Sequence, residues 1–116
     1  MREVYELEVY QLSETLSDMV WHEYDNWPEK AQRTMGFELI RAADSVAANI
    51  AEGYGRYTPA DRRHFYLYAR GSFEETKAGL RKALRRGLVD GTRALEYKSI
   101  IDEPGPKLNA FIRSTQ

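Results

Sequence analysis

The chain has 116 residues, of which 42% are hydrophobic and 30% charged, with a net charge of −1 and no cysteine. That length and balance fit one globular domain, expected over residues 1–116, and exclude a disordered or low-complexity chain. No run approaches the ~20 apolar residues that span a bilayer, and the missing thiols exclude disulfides, thiol catalysis and cysteine-held zinc.

The N-terminus, Met1-Arg2-Glu3-Val4-Tyr5-Glu6, is too acidic and polar for a signal peptide, so a cytoplasmic setting is expected. Charge is unevenly placed, with a balance of −7 over residues 1–52 and +6 over residues 53–116. Such asymmetry marks either a nucleic-acid surface or oppositely charged helices packed on each other.

In chain order, Glu3 to Tyr24 carries Val9, Leu12, Leu16, Met19 and Val20 at helical spacing. Asp25-Asn26-Trp27-Pro28 closes this helix, and a short helical turn is expected from Pro28 to Arg33. A second long helix should run from about Thr34 to Tyr54, ending on Gly53 and Gly55 through glycine's tolerance of positive φ. Thr58-Pro59-Ala60-Asp61 starts the third, with Thr58 as N-cap and Pro59 in the first helical position; Gly87 stops it. Thr92 should cap a fourth helix bearing Leu95, Ile101, Leu108, Phe111 and Ile112. Pro104-Gly105-Pro106 cannot sit in an unbroken helix, so a break is expected there. The expected fold is all-α, an antiparallel up-down-up-down four-helix bundle.

The second helix separates into two surfaces. Leu39, Ile40, Ala43, Val46, Ala47, Ile50 and Tyr54 form the expected core stripe. Opposite lie Glu38, Arg41, Ala42, Ser45, Ala48, Asn49 and Glu52, small and sparingly charged as a helix contact would be. On the third helix, Phe65, Tyr68, Ala69, Ser72, Thr76, Gly79 and Ala83 are read as core, while Tyr66, Phe73, Leu80 and Leu84 form a second apolar strip. That strip, with Arg41, Ser45, Asn49 and Glu52, is read as a contact between copies of the chain. The alternative is that the fourth helix covers it.

Chemistry finds little support. His22 and His64 stand on different helices, and a single Asp61-x-x-His64 is half of what a bundle di-metal site needs. No Gly-x-Ser-x-Gly turn accompanies Ser45 or Ser72, and Gly53-Tyr54-Gly55 has neither the strand nor the Lys-Ser/Thr of a phosphate loop. Arg41, Asn49 and Glu52 could form a buried polar network, read as structural. No enzyme activity, cofactor, metal or small-molecule substrate is expected. The third helix offers a better lead: nine cations fall between Arg56 and Arg86, and Arg63, Arg70, Lys77, Arg81 and Arg85 line one face. They suit RNA or DNA phosphates, with Tyr57, Tyr66 and Tyr68 near enough to stack on bases; intrahelical ion pairing and a merely solvated face are the alternatives.

Ile40-Arg41-Ala42-Ala43-Asp44-Ser45-Val46-Ala47-Ala48-Asn49-Ile50-Ala51-Glu52-Gly53-Tyr54-Gly55-Arg56 resembles the signature of the bacterial 23S rRNA intervening-sequence proteins. The block from Phe65 to Glu75, with Ala69-Arg70-Gly71-Ser72 and its acidic residues, resembles that family's second motif. The family is similar in fold to the accessory variability determinant protein of diversity-generating retroelements. The resemblance therefore implies a four-helix bundle assembling into a ring, a homopentamer, whose partner is nucleic acid or a nucleic-acid enzyme; no membrane partner is expected from the apolar runs. Ala47 stands where proline is common in the family, which predicts a straighter second helix.

Overall fold

In the computed structural model, which describes residues 2–115, helix α1 spans Glu8–Glu23 and is preceded by the 3-10 turn Val4–Glu6. Met1 and Gln116, the ends of the expected domain, lie outside the described residues. The chain continues through α2 (Glu29–Ala31), α3 (Phe37–Tyr54), α4 (Pro59–Arg85), α5 (Gly91–Ile101) and α6 (Pro104–Ser114). No strand occurs among the described residues.

The expected boundary between a short turn ending at Arg33 and a helix starting near Thr34 is absent. Gln32–Gly36 is π-helical and keeps right-handed helical torsions at both junctions, so α2, this segment and α3 form one rod. A wider turn inside a helix accommodates the extra residue that a break would otherwise absorb. Pro28 is extended and precedes the rod as its N-cap. On α4 the start is as the sequence reads: the Asp61 amide donates to Thr58 Oγ1 at 3.2 Å, and Pro59 takes the first turn. Gly87 ends that region with φ +75°, the one positive φ among the described residues.

Two local expectations are corrected. Gly53 lies inside α3 with Gly55 at φ −82°, so neither serves a positive φ. Gly53 instead admits the Tyr66 ring, since a Cβ there would sit 2.7 Å from Tyr66 Cε1 and 2.9 Å from the Arg62 carbonyl oxygen. Asp90 caps α5 in place of Thr92, accepting from the Arg93 amide at 2.9 Å. The last helical rod breaks between Ile101 and Pro104, as the sequence reads, and the prolines fall in the first turn of α6. Asp102 and Glu103 keep right-handed helical torsions, and Pro104 and Pro106 have no amide hydrogen with which to continue the ladder of α5.

Four rods result, and their neighbours are fixed by specific pairs. Tyr24 stacks on Phe37 at 6.1 Å, and the Tyr54 hydroxyl at the far end of α3 donates to the Arg2 carbonyl at 2.6 Å. The Ser17 hydroxyl donates to Asp44 between them. Leu39 lies against Gly79, while Gly53 lies against Tyr66. The Tyr66 ring meets Phe111 at 4.6 Å, and Phe73 presses on Gly105. Lys107 reaches Glu8 at 3.2 Å, and Tyr97 donates to the Met19 carbonyl at 3.1 Å.

This arrangement overturns the second-strip reading. Tyr66, Phe73 and Leu80 are buried in the chain's own core, with Phe73 only 3% exposed. Helix α4 is covered by α3 on one flank and α6 on the other, so its buried arc takes in both strips. Leu84 alone of the strip is exposed. Tyr68, read as core, lies outside that arc, and Ala42, read as outer surface, is buried. Each large apolar side chain fully buried this way contributes about 1.5–3 kcal/mol.

A charged cluster holds the α4–α5 connection. Glu23, 3% exposed at the end of α1, accepts from Trp27 Nε1 at 3.1 Å, Arg93 Nε at 2.9 Å and the Tyr97 hydroxyl at 3.3 Å. Arg93 also reaches Asp90 at 2.8 Å and the Leu88 carbonyl at 3.1 Å. Burial, reinforced by the Glu23 carboxylate, holds the Tyr97 hydroxyl well above the ordinary tyrosine range. A buried carboxylate with three donors is satisfied, and the cluster pins residues 88–93 to α1.

Candidate nucleic-acid interface

The outward arc of α4 carries the cations. Arg63, Arg70, Arg81 and Arg85 are exposed, and none has an ion pair or hydrogen bond among the described residues. Lys77 differs: half-buried, it pairs with Glu74 at 3.1 Å and lies 5.4 Å from the Phe73 ring centroid. The structure thus brings four of the five predicted phosphate residues to an open surface and engages the fifth. From Arg63 to Arg85 the helix rises roughly 33 Å, at about 1.5 Å per residue.

Lys82, outside the predicted five, joins Arg81 and Arg85 with Glu74, Lys77 and Ala78 around a shallow groove of about 460 Å³. Lys82 stands one position past Arg81, about 100° around the helix and off the face that register marks, so only the groove places the two together. Elsewhere cations are largely committed. Arg41 pairs with Glu38 at 3.1 Å and Glu75 at 2.7 Å, and these bonds, that to Glu38 first, raise its pKa above the usual arginine value. Arg56 reaches Glu52 at 3.5 Å.

The predicted polar network of Arg41, Asn49 and Glu52 is not assembled. Asn49 Nδ2 donates to the Ser45 carbonyl one turn back, and Ser45 Oγ to the Arg41 carbonyl, so both amphipathic groups satisfy themselves along their own helix. Arg41 and Glu52 are exposed, and Ser45 and Asn49 half-buried, so these four remain at the surface. A separate aromatic groove of about 560 Å³, lined by Trp21, Tyr24, Asp25, Phe37, Ile40 and Arg41, lies beside them. The sequence reading missed it because Trp21 and Phe37 belong to different helices.

At the other end of α4, His64 and Tyr68 are exposed and hydrogen-bonded, Tyr68 Oη to His64 Nε2, at 2.7 Å. No cluster of three or more His, Asp or Glu placed to hold a metal occurs among the described residues. No helix of the described residues is long and apolar enough to cross a membrane.

Gly71 stands on the exposed arc with nothing within 4 Å of where its Cβ would be. An exposed glycine inside a helix costs about 0.5–1 kcal/mol relative to alanine. Gly71→Ala should therefore raise stability by about that amount in urea denaturation followed by circular dichroism. A loss of stability would mean that another surface presses on this position.

No curated relative matches the chain. The family model of the 23S rRNA-intervening sequence protein matches residues 5–110, a span running from the turn before α1 into α6. The match includes both motif blocks, the glycine that admits Tyr66 and the whole cationic arc of α4. The chain belongs to the 23S rRNA-intervening sequence protein family.

Proposed function

We propose that this protein is a non-enzymatic, cytoplasmic accessory protein that binds RNA or DNA phosphates along α4. The observation that carries the reading is the set of unpaired cations Arg63, Arg70, Arg81, Lys82 and Arg85 on one helix, in a chain whose other guanidinium and ammonium groups mostly hold carboxylates. Spaced cations without internal partners release counterions from a phosphate backbone at no cost in broken ion pairs. The helical rods are read as an antiparallel up-down-up-down bundle. The pairs Leu39–Gly79 and Gly53–Tyr66 support this for α3 with α4, and Tyr66–Phe111 with Phe73–Gly105 for α4 with α6.

The second reading is a protein–protein adaptor or ring, the homopentamer that the resemblance implies. It is favoured by the exposed Trp21 and Phe37 around their groove, close to Arg41. Arg41, Ser45, Asn49, Glu52 and Leu84 remain surface candidates for such a contact.

Fluorescence anisotropy with labelled RNA and DNA at ~50 mM salt tests the first reading. Combined Arg81→Ala, Lys82→Ala and Arg85→Ala should weaken binding about ten-fold or more with helicity unchanged, at roughly 0.5–1 kcal/mol per lost phosphate contact. Lys77→Ala should leave affinity within about two-fold, because its ammonium is already paired with Glu74. Absence of binding by the unaltered protein sinks the reading and leaves the adaptor.

A further inference from the structure

Three rings cluster at the start of α4. His64 and Tyr68 have centroids 4.5 Å apart, Phe65 and Tyr68 5.7 Å apart and nearly perpendicular, and His64 and Phe65 6.1 Å apart. The Arg56 guanidinium lies over the Phe65 ring at 4.5 Å, and Arg62 Nε donates to the Arg56 carbonyl at 2.7 Å, fixing the loop to the helix. Tyr68 is 51% exposed and Tyr57, next to Arg56, is 94% exposed.

The helix surface beside this cluster is bare. Side chains on a helix lean over the preceding turn, so a residue at position 71 would cover Leu67 and Tyr68. Position 71 is glycine and has nothing within 4 Å, which leaves Leu67 and Tyr68 uncovered. Arg63 and Arg70 stand one turn on either side of Leu67, exposed and without partners among the described residues.

We infer that the His64–Tyr68 cluster, with the open floor at Gly71, is a stacking site for an unpaired nucleobase, so that the strand this protein takes is single-stranded. The inference rests on the phosphate-binding reading of α4 and adds which nucleic acid is held. The Tyr68 hydroxyl is tied to His64, so the ring is already oriented and loses little freedom on binding. Arg63 and Arg70 stand across the bare surface of Leu67 and Gly71 from Tyr68, and their charge is complementary to the phosphates of a strand laid over that surface. A duplex keeps its base faces inside the stack, and only an unpaired base can present one to Tyr68.

The test uses the full chain with three labelled probes: oligo(U), an abasic strand of the same length, and a duplex. Oligo(U) should bind about ten-fold tighter than the abasic strand, because each stacked base adds roughly that factor or more. Tyr68→Leu keeps an apolar helix former but removes the ring, and Gly71→Leu covers the floor. Each should bring oligo(U) down to the abasic level without moving abasic affinity or far-UV circular dichroism. Equal binding of oligo(U) and the abasic strand, a preference for duplex, or a Tyr68→Leu protein that binds oligo(U) like the unaltered chain overturns the stacking site while leaving the phosphate reading intact. A changed assembly mass with unchanged strand affinity in Tyr68→Leu also overturns it, assigning the cluster to a contact between copies. No binding of any probe overturns both.

Discussion

Phe73→Asp should leave the chain without a cooperative unfolding transition, whereas Leu84→Asp should fold with nearly unchanged stability. The two residues belong to one apolar strip in the sequence, and the structure separates them: Phe73 is 3% exposed and Leu84 46%. Phe73 fills the space between α4 and α6, against Gly105 and beneath the Lys77 ammonium. Truncating a buried phenylalanine to alanine costs about 3–5 kcal/mol. A carboxylate in its place adds the desolvation of a charge with no donor waiting for it. Domains are stable by only about 5–15 kcal/mol, so the sum exhausts most or all of it. Urea denaturation followed by circular dichroism reads the difference. A folded Phe73→Asp protein that merely sediments as a smaller species would restore the strip to a contact between copies.

Arg93→Ala is expected to lower the urea midpoint, because it leaves the Glu23 carboxylate, 3% exposed, without its ionic partner. The loss should be partial, because Trp27 and Tyr97 still donate to the carboxylate. Removing the carboxylate as well should return part of the loss, so Glu23→Gln combined with Arg93→Ala is expected to be less destabilised than the two single effects added. Strict additivity in that double-mutant cycle would show that Glu23 and Arg93 are not coupled. Amide exchange should rise first over residues 88–93, the connection this cluster holds.

Much of the fold was written locally. Thr58-Pro59 and Asp61 announce the start of α4, Gly87 its end, and the prolines at 104 and 106 the break in the last rod, because caps and breakers act within one turn. Periodicity marked the apolar residues of α4 correctly but could not say what covers them. A wide stripe is equally the signature of two neighbours within one chain and of one neighbour plus a partner, and α6 decides between them. Glycine carries a similar ambiguity: Gly53 serves a close approach and Gly87 a positive φ, and nothing in their flanking residues distinguishes the two uses.

The candidate site was partly legible for the same reason. Helical register placed Arg63, Arg70, Arg81 and Arg85 on one face, but whether a cation is free depends on neighbours across the helix, as the Lys77–Glu74 pair shows. Glu23 and Arg93 stand 70 positions apart, so no spacing rule could pair them. The Trp27 indole four residues after Glu23 was the single local hint. The stacking cluster combines a histidine weighed for metal binding, a tyrosine read as core and a glycine of the second motif block. Only their shared exposure assigns them together.

The unpaired cations of α4 as a phosphate surface are best tested by the salt dependence of binding. The logarithm of the association constant for labelled single-stranded RNA would be plotted against the logarithm of salt concentration, for the unaltered protein and for the Arg81→Ala, Lys82→Ala, Arg85→Ala protein of matched assembly mass. A steep negative slope is predicted, made shallower by about 2 when the three cations are removed, at about 0.7 per single-strand phosphate contact. Identical slopes in the two proteins, or no binding at ~50 mM salt, would contradict it.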